Sequence, residues 1–220
     1  MQDKRILQIQ DLHFGYQNGK SVFRGLNFTL FEKERVGLIG PNGAGKTTLF
    51  HLIMGLQKPS SGSIEIFHRI RKTESDFAEV RTRIGLLFQE SDDQLFCPTV
   101  EEDIAFGPLN LGKTHDEARM IVKETCEKLG LKGFEKRVTY RLSGGEKRLV
   151  ALATVVAMHP DCYLLDEPTA GLDEETRIRF LNYLKQYANT YMIITHNHEL
   201  LTHAADKVYT LINGSLKLLD

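Results

Sequence analysis

The stretch LIGPNGAGKTTLF, residues 38–50, constrains this chain more than any other. It sets three glycines and a proline between two apolar runs and closes with a lysine and two threonines. RVGLIG, residues 35–40, is a short apolar run of the buried-strand type, and KTTLFHLIMGL carries Leu49, Leu52, Ile53 and Leu56 at helical spacing. The loop between them fits G-x-x-x-x-G-K-[ST] as Gly40, Gly45, Lys46 and Thr47. Pro41, Asn42, Gly43 and Ala44 lie inside it and Thr48 follows. Consecutive main-chain N–H groups in such a loop point into one hollow, which the positive end of the next helix also faces. Phosphates suit that hollow. Lys46 would reach the β- and γ-phosphates of a nucleotide, and the Thr47 hydroxyl would hold Mg²⁺. The alternative is an ordinary strand-to-helix turn, against which the strand before and the helix after both weigh.

A chain of 220 residues can bury a full core and is expected to form one domain, with room for a subdomain. Its 28 Lys and Arg against 29 Asp and Glu argue against a protein built mainly to bind nucleic acid or an anionic membrane. Cys97, Cys126 and Cys162 are isolated and read as thiols of a reducing compartment. The start MQDKRILQIQDL alternates, as a strand does, and lacks the apolar segment of a signal peptide. The longest apolar run, LVALATVVAM, is shorter than the ~20 residues that span a bilayer. A soluble protein is expected, with any membrane role exerted through a partner.

Residues 5–31 read as β-rich, with a turn at residues 18–20. SGSIEIF and IGLLFQ are further strands, the second ending at Gln89; THDEARMIVKETCEKLG is an amphipathic helix, and another helix starts near Ser143. CYLLDE, EETRIRFLNYLKQYA and TYMIIT alternate strand, helix and strand, and KVYTLI and GSLKLLD close the chain around Asn213-Gly214. Alternation of this kind implies an α/β fold with a mostly parallel sheet flanked by helices. An antiparallel β subdomain is expected at the N-terminus and a helical subdomain in the middle.

CYLLDEPTAGLD, residues 162–173, ends an apolar strand in two acids. That places carboxylates at the carboxyl edge of a parallel sheet, where open α/β sheets bind ligands. Asp166 would hold Mg²⁺ directly or through water, and Glu167 could polarise a water aimed at the γ-phosphate. In LSGGEKRLVALA, residues 142–153, Ser143 and Glu146 form a capping box. The box leaves Gly144 and Gly145 unexplained, because glycine is a poor helix former. Bare N–H groups at a helix start make a second phosphate site, which makes sense if it serves a nucleotide on another copy.

GPNGAGKTT, LSGGE, LLDEPTAGLD and ITH stand in the order found in ATP-binding-cassette ATPase domains, and the chain resembles that family over nearly its whole length. The resemblance implies a P-loop NTPase fold in a single domain spanning 1–220. A core with its β subdomain would occupy about 1–90 and 160–220, and a helical subdomain about 91–159. It also implies that Tyr16 stacks on adenine and that Gln89 senses Mg²⁺ and the attacking water. Ser143, Gly144, Gly145 and Glu146 would close on a partner's γ-phosphate, Asp173 would cross the dimer interface, and His196 would contact the γ-phosphate. From the residues alone, Tyr16 reads first as a packed aromatic and Gln89 as a polar strand end, and nothing separates His196 from His198. Many members have Gln where this chain has Glu146. A carboxylate beside a phosphate is costly unless the capping box turns it away.

The segment 90–112, with DDQLF, VEEDIAFGP and NLG, is similar to ATPases that energise uptake of cobalt, nickel and vitamins, the energy-coupling-factor group. The resemblance implies ATP as substrate, Mg²⁺ as cofactor, and a second ATPase subunit, identical or paralogous, completing the ATP sandwich. It further implies a transmembrane permease partner and a place on the cytoplasmic face of the membrane. Nucleic acid is not an expected partner. A C-terminal extension that many relatives carry is expected to be absent. The competing readings are a soluble cassette ATPase uncoupled from transport and an ATP-gated clamp with little turnover.

Overall fold

The computed structural model describes residues 4–17, 19 and 21–219. In chain order the strands are β1 (Arg5–Gly15), β2 (Ser21–Phe31), β3 (Arg35–Ile39), β4 (Ser61–Ile66), β5 (Arg69–Ile70), β6 (Ile84–Leu87), β7 (Cys162–Asp166), β8 (Tyr191–Ile194), β9 (Lys207–Ile212) and β10 (Ser215–Leu219). The helices are α1 (Lys46–Ile53), α2 (Glu74–Arg83), α3 (Val100–Asn110), α4 (His115–Lys128), α5 (Gly144–Val156), α6 (Glu174–Tyr187) and α7 (His198–Ala204). Two sheets form. One is antiparallel in the order β2-β1-β4-β5, and the other runs β10-β9-β3-β8-β7-β6. In the second, β9, β3, β8, β7 and β6 are parallel and β10 returns antiparallel on β9.

The central strands are short apolar runs because both faces of the sheet are covered. Their two-residue period sends alternate side chains into different cores. Cys162 and Leu164 of β7, with Met192 and Ile194 of β8, join the cluster that holds Leu49, Phe50 and Leu52 of α1. Tyr163 and Leu165, with Tyr191 and Ile193, join the cluster that holds Leu149, Leu152 and Val156 of α5. The sheet therefore fixes α1 on one face and α5 on the other, and this positions the site described below.

Several boundaries differ from those read in the sequence. The strand expected to reach Gln89 stops at Leu87, where β6–β7 pairing ends opposite Leu165. Beyond it the Phe88 N–H turns away to donate to Gln94 Oε1 at 3.1 Å. α1 ends at Ile53 rather than Leu56, stopped by Gly55 at φ +70°. α2 and α7 carry weak apolar periodicity and escape notice in the sequence. α2 buries only Phe77 and Val80, and α7 has seven residues. The expected turn at residues 18–20 falls partly outside the described residues, as does the start of the N-terminal strand.

Candidate nucleotide site

The loop ahead of α1 is built by backbone that only glycine accepts readily. Gly45, at φ +106°, precedes the helix, and a Cβ there would meet Val22 Cγ1 at 2.4 Å. Gly40 backs onto the Leu211 carbonyl, which a Cβ would meet at 2.5 Å. α2, α4, α5, α6 and α7 are capped by the side chains of Thr73, Thr114, Ser143, Asp173 and Asn197. On α3 Glu102 reaches back to the Thr99 N–H at 3.0 Å. α1 has neither a capping side chain nor an acidic residue in its first turn. Its orphan N–H groups, with the positive end of the helix, are left for an anion.

These groups face a cavity of about 640 Å³ lined by Tyr16, Lys46, Thr47, Gln89, Glu167 and His196, among others. Lys46 is buried, and its Nζ donates to the carbonyls of Gly40 at 2.8 Å and Pro41 at 3.1 Å, closing the loop on itself. Burial lowers its pKa, while Glu167 and Asp166 act in the opposite direction. Thr47 Oγ1 donates to Asp166 Oδ2 at 2.5 Å across 119 residues of sequence. Asp166 ends β7 and is 2% exposed, so burial raises its pKa despite the Thr47 hydrogen bond and the nearby Arg148.

Glu167 leaves the strand with φ +46°, a left-handed backbone that costs a non-glycine residue about 1–2 kcal/mol. The bend turns its side chain into the cavity. Its Oε1 is buried without a hydrogen-bond partner among the described residues and lies 3.5 Å from His196 Nε2. Burial raises the Glu167 pKa, and His196 partly offsets that. His196 lines the cavity, whereas His198 starts α7 and does not. The structure thus separates two histidines that spacing alone leaves equivalent. Tyr16 bonds Thr48 Oγ1 at 2.8 Å and packs edge-to-face with Phe14 at 5.1 Å between ring centroids, and the residue is 41% exposed. Gln89 is exposed at the cavity edge, two residues beyond β6.

The remaining sequence-derived residues lie elsewhere. Pro41 and Ala44 line the back of the loop with Asn42 and Gly43, which border both hollows. Ser143, Gly144, Gly145, Glu146 and Asp173 do not line the cavity. Ser143 and Glu146 form the expected capping box, with the Ser143 N–H donating to Glu146 Oε2 at 2.7 Å. Arg137, which sequence reasoning passed over, donates to Glu146 Oε1 at 2.7 Å. That contact, more than the capping bond, lowers the Glu146 pKa. Asp173 caps α6, accepting from the Thr176 N–H at 2.8 Å. Arg148 and Gln94 also escaped the sequence reading, because their partners are backbone atoms of distant segments. Gln94 bonds Phe88, Ala151 and Thr154.

A glycine loop before an uncapped helix, with a lysine at its close and a buried strand-end aspartate bonded to its threonine, defines a P-loop nucleotide-binding protein. A family model described as ABC transporter matches residues 23–170, and the chain belongs to that family. A putative ABC transporter ATP-binding protein of Nitratidesulfovibrio vulgaris is 47% identical over 210 residues, covering 95% of this chain and 77% of that protein. The energy-coupling factor transporter ATP-binding protein EcfA of Methanothermobacter thermautotrophicus is 44% identical, covering 96% and 69% respectively. The solved structure of cbiO1 from Clostridium perfringens, part of the ABC transporter complex cbiONQ, superposes with a TM-score of 0.86 at 32% identity. That match covers 98% of this chain and 88% of cbiO1. The protein is accordingly an ABC ATPase with the α/β P-loop fold.

Proposed function

We propose that the chain is the ATP-hydrolysing subunit of an importer for a small solute, a transition-metal ion such as cobalt or a vitamin, and works through a membrane permease. The similarity of segment 90–112 to energy-coupling-factor ATPases supports the solute class, as do the relatives named EcfA and cbiO1. Among the described residues no helix is long and apolar enough to cross a membrane. This accords with a peripheral subunit on the cytoplasmic face. A groove of about 390 Å³, lined by Met54, Leu56, Phe88, Phe96, Phe106 and Met158 between sheet and helical lobe, would take a coupling helix of the permease. We place the core at about 1–90 and 160–220 and the helical subdomain at about 91–159.

One observation carries the mechanism. Lys46, Gln89, Asp166, Glu167 and His196 converge from separate segments on one cavity, while the Ser143–Gly145 turn opens elsewhere. Two copies, or this chain and a paralogue, would bury ATP between the loop of one and the turn of the other. Residues 40–48 cradle the phosphates, and the exposed Tyr16 ring stacks on adenine. The Lys46 ammonium rests on two carbonyls of the loop, and would turn from them to the β- and γ-phosphates. Glu167 has a buried oxygen with no hydrogen-bond partner among the described residues and a raised basicity, which suits polarising a water. His196 stands beside it to contact the γ-phosphate. Ser143, Gly144, Gly145 and Glu146 close from the partner, and Asp173 crosses the interface.

Thr47, Asp166 and Gln89 offer a hydroxyl, a buried carboxylate and an amide, all hard oxygen donors. Mg²⁺ keeps few protein ligands and fills its shell with water and phosphate oxygens, so this set fits it. Bound there, it would neutralise charge on the triphosphate.

Glu167→Gln is expected to retain ATP affinity, to lose nearly all phosphate release, and to form a dimer on size exclusion only when ATP is present. Wild-type turnover in that variant would remove Glu167 from its role.

A further inference from the structure

Gln89 and Glu167 follow two neighbouring strands, and pairing between those strands ends at Leu87 and Leu165. Beyond that point no β-ladder holds the two loops in register. Arg148 does. It sits on α5, two residues past Glu146, and is 4% exposed. Among the described residues its guanidinium donates only to main-chain oxygens at these strand ends and loops. Nη1 reaches the carbonyls of Phe88 and, at 2.9 Å, Gln89. Nη2 reaches those of Asp166 and, at 2.7 Å, Glu167. Nε reaches Pro168 at 3.3 Å.

A guanidinium has five N–H donors in a rigid plane, and here they meet five carbonyls. Burial lowers the Arg148 pKa to about 10, opposed by Asp166, Glu90 and Glu167, so it stays charged at neutral pH. A buried cation whose hydrogen bonds all go to carbonyls is an expensive arrangement. Leu149, Val150, Leu152 and Ala153 supply the apolar packing of α5, so what Arg148 adds is its set of hydrogen bonds.

We propose that Arg148 is a positioning residue that fixes the backbone of Gln89 against that of Glu167 and ties both to the helix opening with Ser143–Gly145. It touches no substrate. When a neighbouring copy's nucleotide pulls on the start of α5, the guanidinium plane carries that displacement to this chain's own Glu167 and Gln89. The Ser143–Gly145 turn of one chain thus sets the readiness of that chain's own Glu167 and Gln89. Lysine cannot replace it, because a single ammonium has three donors on one atom and cannot span two loops.

The inference rests on Glu167 and Gln89 serving the γ-phosphate. Arg148→Lys in the full chain tests it by thermal melting, ATP calorimetry and phosphate release. The expected result is a folded protein with ATP affinity within about threefold of wild type and turnover down at least about thirtyfold. Arg148→Ala should regain part of its turnover with millimolar guanidinium and none with ammonium. Glu167→Gln should gain nothing from either. Normal turnover in Arg148→Lys beside an inactive Glu167→Gln overturns the role of Arg148 and leaves the site intact. Normal turnover in Glu167→Gln overturns the site reading itself. If Arg148→Lys unfolds, absence of guanidinium rescue in Arg148→Ala also overturns the proposal.

Discussion

Gly144→Ala separates what the chain needs in order to fold from what it needs in order to work. Gly144 and Gly145 are the first two residues of α5, and neither has a positive φ. A Cβ on Gly144 meets nothing within 4 Å, and one on Gly145 meets only Leu172 Cδ2 at an ordinary 3.7 Å. Nothing in the chain itself therefore demands glycine at either position. In a helix interior alanine is better by up to about 1 kcal/mol. Gly144→Ala is expected to raise the melting temperature of the nucleotide-free protein by up to about 2–4 °C. Gly45 behaves oppositely. At φ +106° with Val22 Cγ1 at 2.4 Å, a methyl there costs about 1–2 kcal/mol in backbone strain and about 1–3 in overpacking. If Gly144 lies over a partner's γ-phosphate, its new methyl crowds the bare N–H groups. ATP-driven dimerisation should then weaken at least tenfold, or about 1.4 kcal/mol. Scanning fluorimetry without nucleotide and sedimentation with ATP in the Glu167→Gln background measure the two effects. A variant that dimerises with ATP as readily as its parent refutes the assignment of this turn to the interface.

Two further expectations concern charge. Removing Arg137 frees the Glu146 carboxylate at the start of α5. Both side chains are partly exposed, so stability should change by under about 1 kcal/mol. The ATP concentration needed for half-maximal turnover should rise several-fold, and Glu146→Gln added to Arg137→Ala should restore it. Failure of that second substitution to restore it shows that the pair does not screen a phosphate. The pH dependence of Glu167→Gln follows from burial, which raises the Glu167 pKa in the fold. The folded state then binds the proton more tightly than the unfolded state. The charged carboxylate therefore costs stability above its folded pKa and nothing below the ordinary carboxylate range. Glu167→Gln should raise the melting temperature of the ligand-free protein at pH 7, with the gain shrinking as pH falls toward 4. A gain independent of pH contradicts this account.

The glycine loop, the strand-end acids and the capping box were legible in the sequence because each is a local pattern. Gly40, Gly45, Lys46 and Thr47 sit within eight residues, and one short run holds Ser143 and Glu146. Local periodicity likewise made the central strands and α4 readable, whereas α2, which buries two residues, left too faint a stripe. Distance through the sheet hid other features. The Thr47–Asp166 bond spans 119 residues, the Arg148 contacts with Phe88 and Gln89 span about sixty, and the ion pair of Arg137 with Glu146 leaves no repeat or spacing. Spacing alone could not choose His196 over His198. The end of β8 chose it by placing one histidine in the cavity and the other on a helix. The sequence by itself determined that a phosphate-binding loop and an acidic strand end exist, since backbone conformation and alternation act over a few residues. Only the tertiary structure decided which groups share one cavity and how the loops bearing Gln89 and Glu167 are held. Those relations depend on the pairing of strands far apart in the chain.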